Sequence, residues 1–346
     1  MDAISRSPLT ALAVWLFVSV APSGAQSRDW ARNPAVVEID TDADVYAIGD
    51  IHGDYERLTL ALHGAGLVDN IPDRPEYVRW SAHRSVFIVT GDMIDKGPRA
   101  VDVLRLLAAL QTSANTQGGR VVVLAGNHEA EFLADPSALK GKEFAAQLAS
   151  QRIHPVDVAA CKGDLGDFLC GLPFAARVND WFFSHAGSSA GRNLRQMNAD
   201  LESGFNQYGF GSKELIGDES ILEARLNGTG KGREVWIDAG MPDHDERQLL
   251  VAYTAALGVK HVVEGHVPSE VRFANGTIRN AGEMFQQFGL LFLIDTGMSR
   301  DINHSNGAVL HITVTNATAV CPSGKRTLLW DSEHQQSTGR AVPCGN

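Results

Sequence analysis

Five short stretches of this sequence carry carboxylates, imidazoles and an amide at matching places. They are Gly49-Asp50-Ile51-His52-Gly53, Gly91-Asp92, Gly126-Asn127-His128-Glu129, Ser184-His185-Ala186-Gly187 and Gly265-His266. Asp50 and His52 are two apart, so in extended backbone both side chains point to one side and can grip one ion. Four of the five stretches put a glycine before the first ligand, where a missing side chain lets backbone approach closely. The inventory of metal ligands is therefore Asp50, His52, Asp92, Asn127, His185 and His266. Mixed oxygen and nitrogen donors suit Mn, Fe or Zn, and suit calcium poorly because it takes oxygens alone. Six protein ligands are too many for one catalytic ion that keeps an open position. They suit two ions about 3.5–4 Å apart, bridged by one carboxylate, with a water activated between them.

Each stretch follows an apolar run that reads as a strand. Candidate strands are residues 45–48, 85–90, 121–125, 181–184, 261–264, 290–294 and 308–314. Helical periodicity appears in ERLTLALHGAGL, with Leu58, Leu62 and Ala65 on one face, and in AVDVLRLLAAL, with Val101, Leu104 and Leu107. The stretch from Asp245 to Gly258 is a third helix, ended by glycine. Strands alternating with helices give the α/β class. In an open α/β sheet the C-terminal strand ends gather along one edge, where ligands bind. All five stretches would meet there.

The whole chain permits this chemistry. Its 346 residues are 44% hydrophobic and 21% charged, ordinary values for a folded domain. A net charge of −11 argues against a nucleic-acid duplex as partner. A small phosphorylated substrate stays open, because bound metals outweigh the global field locally. Arg6, the apolar run Leu9–Ala21 and the small residues Ser23-Gly24-Ala25 read as a signal peptide over 1–25, cleaved after Ala25. The run is shorter than the roughly 20 residues of a membrane span, so no stable span is expected. The remaining residues 26–346 form one domain, with a core at about 44–314 and a tail at 315–346 that lacks periodic structure. Export places the protein in the periplasm or outside the cell, and favours disulfides Cys161–Cys170 and Cys321–Cys344 over free thiols.

GDIHG, GDMIDKGP, GNHE, SHAG and EGH resemble the signature set of calcineurin-like metallophosphoesterases, in their phosphoprotein phosphatase branch. LGDFLCGLPFAARVNDWFFSHAG, VWIDAG, LGVKHVVEGHVP and IDTGMSR are similar to blocks of bacterial Shewanella-like phosphatases, so the resemblance covers roughly Asp44 to Thr313. It implies a four-layer αββα sandwich with a dinuclear site at the sheets' edge. Asp50, His52 and Asp92 would hold the first metal; Asp92, Asn127, His185 and His266 the second, with Asp92 bridging. Pro268 stands where cyclic-nucleotide-type relatives carry a further ligand, which favours the phosphatase branch. His128 would protonate the leaving oxygen, oriented by Asp95. A carboxylate partner fixes the imidazole tautomer and favours its charged form. Asp95 could equally cap the helical run that begins at Pro98.

The sequence departs from the family in three places. Lys96 stands for the usual arginine; it neutralises phosphate but makes no planar fork. VWIDAG puts Asp238 where Shewanella-like relatives have a second arginine, and HAG replaces HGG, as in diadenosine tetraphosphate hydrolases. Either phosphate is held mainly by the metals, with Lys96 and Asn127, or another cation such as Arg300 or Arg99 substitutes, or the substrate differs. The leading expectation is a metal-dependent phosphomonoesterase using a metal-bridging hydroxide in line on phosphorus. The alternatives are a nucleotide diphosphate or phosphodiester hydrolase, and a metal-loaded protein that only binds.

Overall fold

The structure is a computed structural model that describes residues 28–187, 189–225, 245–273 and 275–345. The leader expected over residues 1–25 and the VWIDAG stretch with Asp238 lie outside the described residues. In chain order the strands are β1 (Val36–Ile39), β2 (Val45–Ile48), β3 (Val86–Val89), β4 (Arg120–Val123), β5 (Ala175–Val178), β6 (Trp181–Ser184) and β7 (His261–Glu264). Then follow β8 (Val271–Arg272), β9 (Ile278–Arg279), β10 (Met284–Gln287), β11 (Leu291–Leu293), β12 (Val309–Ile312), β13 (Asn316–Val320), β14 (Arg326–Asp331) and β15 (Thr338–Ala341).

Two large mixed sheets result. One runs β1-β5-β6-β7-β11-β10-β15 and the other β14-β13-β12-β2-β3-β4, while β8 and β9 pair separately. Strands buried on both faces divide their side chains by period two. On β3, Val86 and Ile88 join a core shared by both sheets, with Phe183 of β6 and Val263 of β7. Phe87 and Val89 of β3 point the other way, into a core with helical residues. Those include Leu58 and Leu62 of α1 (Tyr55–Gly64) and Leu104 and Leu107 of α2 (Ala100–Asn115). Sheets face each other inside and helices flank them outside. Among the described residues no helix is long and apolar enough to cross a membrane.

The other helices are α3 (Asn127–Ala134), α4 (Lys142–Ser150), α5 (Pro155–Ala159), α6 (Gly163–Cys170), α7 (Leu194–Tyr208), α8 (Lys213–Ile216) and α9 (Glu246–Leu257). The helix expected from Asp245 is α9: Asp245 caps it through Arg247 N and Gln248 N, and Gly258 ends it at φ +71°. The first helix stops at Gly64, short of the Gly66-Leu67 end that periodicity suggested.

The tail is where expectation failed. Residues 315–346 contribute β13 and β14 to one sheet and β15 to the edge of the other. Their inward residues include Ala317, Ala319 and Ala341, which are buried but too small to mark a strand by hydrophobicity. Both disulfides form with the expected partners, Cys161–Cys170 and Cys321–Cys344. Two disulfides fit an oxidising compartment.

Candidate active site

The five stretches lie just past the C-terminal ends of β2, β3, β4, β6 and β7. Because β2-β3-β4 belong to one sheet and β6-β7 to the other, the site draws on both sheets. The loops bond to one another directly. Ile51 N and His52 N both donate to Asp92 O, at 3.0 and 2.9 Å, and Gly265 N donates to His185 O at 3.0 Å.

The backbone is not extended here, contrary to the reasoning that paired Asp50 with His52. His52, Asp92 and His266 adopt φ of 46°, 52° and 66°, a left-handed conformation costing about 1–2 kcal/mol for a residue with a Cβ. A turn at His52 rather than strand alternation brings its Nε2 to 3.8 Å from Asp50 Oδ2. Such strain gathers at functional sites. The glycines serve the ligand carboxylates. A Cβ on Gly126 would lie 2.2 Å from Asp92 Oδ1, and one on Gly265 2.5 Å from Asp50 Oδ1.

The six candidate ligands converge around Asp92. Asp92 Oδ2 is 3.5 Å from His52 Nε2, and Asp92 Oδ1 is 3.4 Å from His185 Nε2. His185 Nε2 is also 3.2 Å from Asn127 Oδ1 and 3.1 Å from His266 Nδ1. Asp50 Oδ1 accepts His266 N at 2.9 Å. Carbonyl partners decide the tautomers: His52 Nδ1 donates to Ile94 O and His185 Nδ1 to Thr90 O, at 2.9 and 3.0 Å. Each ring therefore turns an Nε2 lone pair toward Asp92, the usual arrangement of metal-ligating histidines.

The donor set fits divalent cations. Two groups of metal-capable atoms share Asp92: one with His52 and His128, the other with His185 and His266. Burial, then the carboxylate of Asp295, pushes the Asp50 carboxyl well above the usual range. His266 Nε2 and Asp295 Oδ2 are buried without a hydrogen-bond partner. Crowded acids and lone pairs that meet without a proton between them are what an ion would relieve. The residues present could hold two.

His128 sits at the first group without being free to ligate through both nitrogens. Its Nδ1 is 2.8 Å from Asp95 Oδ2, while Nε2 lies 3.9 Å from Asp92 Oδ2. Asp95 does cap a helix, but a different one. It accepts Phe144 N at 3.0 Å and Gly141 N, at the start of α4. The helix after Pro98 begins at Ala100, where Arg99 makes no capping bond and Gln147 Oε1 accepts Ala100 N at 2.8 Å.

The cations divide. Lys96 Nζ lies 3.1 Å from His52 Nε2, inside the site. Arg300 is half-exposed and engaged elsewhere, with NH1 3.4 Å from Glu56 Oε2 and Nε 3.8 Å from Asp54 Oδ2. Arg99 bonds Glu56 and Asp102 at 2.6 and 2.8 Å. Both arginines are thus paired with carboxylates.

Sequence reasoning overlooked several residues. Glu129 is fully buried, and its two oxygens accept four backbone N–H groups, from Asp92, Met93, Ile94 and Gly126, at 2.8–3.0 Å. It moulds the Asp92 turn. Its place three residues after Gly126, a capping-box spacing, was the available signal. Asp295, in the IDTG stretch, and Glu223, which accepts Asn127 Nδ2 at 2.8 Å, carry no local signal.

A family model for calcineurin-like phosphoesterases matches residues 43–270. An uncharacterised Schizosaccharomyces pombe protein is 28% identical over 267 residues, 73% of this chain and 73% of its own length. Shewanella-like protein phosphatase 1 of Plasmodium berghei is 31% identical over 147 residues, 41% of this chain and 38% of that one. A symmetrical bis(5'-nucleosyl)-tetraphosphatase of Vibrio campbellii is 28% identical over 144 residues, 42% of this chain and 44% of that one. The chain thus matches less than half the length of either named enzyme. A cold-active protein-tyrosine phosphatase of a psychrophilic Shewanella species shares the fold, with TM-score 0.62 and 18% identity, covering 92% of this chain and 89% of that one.

Proposed function

The chain belongs to the calcineurin-like phosphoesterases, as a metal-dependent phosphatase, and on that premise we propose that it hydrolyses phosphomonoesters with His128 as proton donor. The observation that carries this is the His128–Asp95 pair, 2.8 Å long, beside the ligands that converge on Asp92. Asp95 holds Nδ1, which leaves Nε2 to face the reacting phosphate and to protonate the leaving oxygen. Burial pulls the His128 pKa down, but Asp92 and Asp95 outweigh it and hold it above its ordinary value. That direction favours the charged ring, the form that can give a proton.

Two ions, held by Asp50, His52 and Asp92 and by Asp92, Asn127, His185 and His266, would supply an acidified water and offset phosphate charge. Their donors suit Mn, Fe or Zn. Lys96 supplies a cation beside His52, and the oxygen and nitrogen of Asn127 divide between the site and Glu223. Arg300, bound to Asp54 and Glu56, adds positive charge without a direct bond to phosphate. The disulfides and the leader-like first 25 residues support a periplasmic or secreted protein acting on phosphoproteins or small esters.

The HAG sequence at His185-Ala186-Gly187 and the tetraphosphatase relative favour a second reading, hydrolysis of a nucleotide diphosphate bond. Assay of the Mn-loaded protein on p-nitrophenyl phosphate, its bis ester and diadenosine tetraphosphate separates the two. Preference for the monoester supports the proposal. Turnover of the tetraphosphate alone overturns it.

A further inference from the structure

Lys140 stands between two glutamates beside the candidate second-ion ligands. Its Nζ donates to Glu131 Oε1 and to Glu223 Oε1, each at 2.5 Å. That same Glu223 oxygen accepts Asn127 Nδ2. The three side chains are only 13–30% exposed and come from separate parts of the chain: α3, the turn before α4, and the segment after α8.

An amide has two faces of opposite character, and its partners choose between them. A carboxylate can only accept, so Glu223 takes the NH2 of Asn127 and leaves Oδ1 on the side of His185 Nε2, 3.2 Å away. Reversed, the amide would set oxygen against carboxylate and offer a metal two hydrogens. The orientation thus depends on where the Glu223 carboxylate is held. Without Lys140, Glu131 and Glu223 would be two carboxylates in mutual repulsion, and the Glu223 side chain would lose the cation that holds it against Asn127. The residues that follow Lys140 serve the other half of the site. Gly141 N and Phe144 N hold Asp95, and Glu143 Oε2 accepts Lys96 N at 3.0 Å.

We propose that Lys140 and Glu223 are positioning residues that orient the Asn127 amide for the second ion. The inference rests on the two-ion reading above. Its test is calorimetric titration of MnCl2 into the metal-stripped full chain, for wild type, Lys140→Met, Lys140→Arg, Glu223→Ala and Asn127→Ala.

Wild type should show two binding events. Lys140→Met and Glu223→Ala should each weaken one event by about 10–100-fold, the usual loss when an outer partner of a ligand is removed, and leave the other in place. Lys140→Arg should restore affinity. In the Asn127→Ala background Lys140→Met should add little, because the residue through which it acts is already gone. A single event in wild type would strike the two-ion reading itself. Two events in wild type with unchanged affinities in both Lys140→Met and Glu223→Ala would overturn the role of these residues alone. So would a Lys140→Met loss that simply adds to that of Asn127→Ala. If Lys140→Met does not fold, Glu223→Ala alone and in the Asn127→Ala background carries the same decision.

Discussion

The ammonium of Lys96 lies 3.1 Å from His52 Nε2, the nitrogen that the Ile94 carbonyl leaves free for an ion. An ion and Lys96 would contend for one lone pair. Lys96 is itself held by its backbone, with N bonded to Glu143 and O accepting Ser299 Oγ at 2.5 Å, so its side chain has a short reach. Lys96→Met should therefore tighten the first ion while weakening inhibition by inorganic phosphate. Metal titration and phosphate inhibition constants check the two halves separately. Weaker metal binding in Lys96→Met would show that no contest exists.

Asp92 faces His52 with one oxygen and His185 with the other. Asp92→Ala should empty or scramble both ion sites, whereas Asp50→Ala should mainly weaken one. Elemental analysis after dialysis measures this. One ion per chain in fully active wild type would remove the dinuclear reading.

How much of this was legible in the sequence depended on where the signal was stored. β3 is a continuous apolar run, VFIV, followed at once by Thr90-Gly91, and it announces both itself and the ligand it delivers. β13 spends its inward positions on Ala317 and Ala319, which bury completely but contribute little hydrophobic contrast. Left-handed turns at His52 and Asp92 have only a weak marker, because histidine and aspartate visit that region more often than most residues yet still in a small minority of cases. Glu129 and Glu223 act on the site through partners dozens of residues away, Asp92 to Ile94 and Asn127. Their roles are properties of the assembled loops.

The Cys321–Cys344 disulfide joins the end of β13 to the segment after β15, strands of different sheets. The buried Cys344 belongs to the inter-sheet core. Replacing both cysteines by serine should cost about 2–4 kcal/mol, read as a lower urea midpoint with little change in slope. An unchanged midpoint would show that the strands alone carry the tail.

His128 and Asp95 make opposite shifts. Burial lowers the His128 pKa first, yet Asp92 and Asp95 raise it above the ordinary value. Burial raises Asp95 first, yet hydrogen bonds from His128 and Phe144 bring it below. The His128 contribution to stability is complete below its unfolded pKa and is lost as pH rises through the raised folded value. The Asp95 contribution is complete above its unfolded pKa and is lost as pH falls through the depressed one. Both act fully between about pH 4 and 6.5. Asp95→Asn should lower the Tm of metal-free protein most in that window and less as pH rises through the raised folded value of His128. A loss that is uniform over this range would exclude the ion-pair account.

Proton donation by His128 matters in proportion to the basicity of the leaving oxygen. His128→Asn should lower kcat by about 10²–10⁴-fold on alkyl phosphates, the usual contribution of a positioned acid. On p-nitrophenyl phosphate, whose leaving group departs as a stable anion, the loss should be much smaller. The wild-type rate on alkyl phosphates should fall as pH rises through a value above the ordinary histidine pKa, and His128→Asn should abolish that limb. Asp95→Asn should share the dependence on leaving group, because a ring without its carboxylate holds the proton less well and turns more freely. Equal losses on both esters would mean that His128 binds or shapes rather than protonates. Hydrolysis would then need its proton from elsewhere, and Lys96, the other hydrogen-bond donor beside His52 Nε2, would be the next residue to replace.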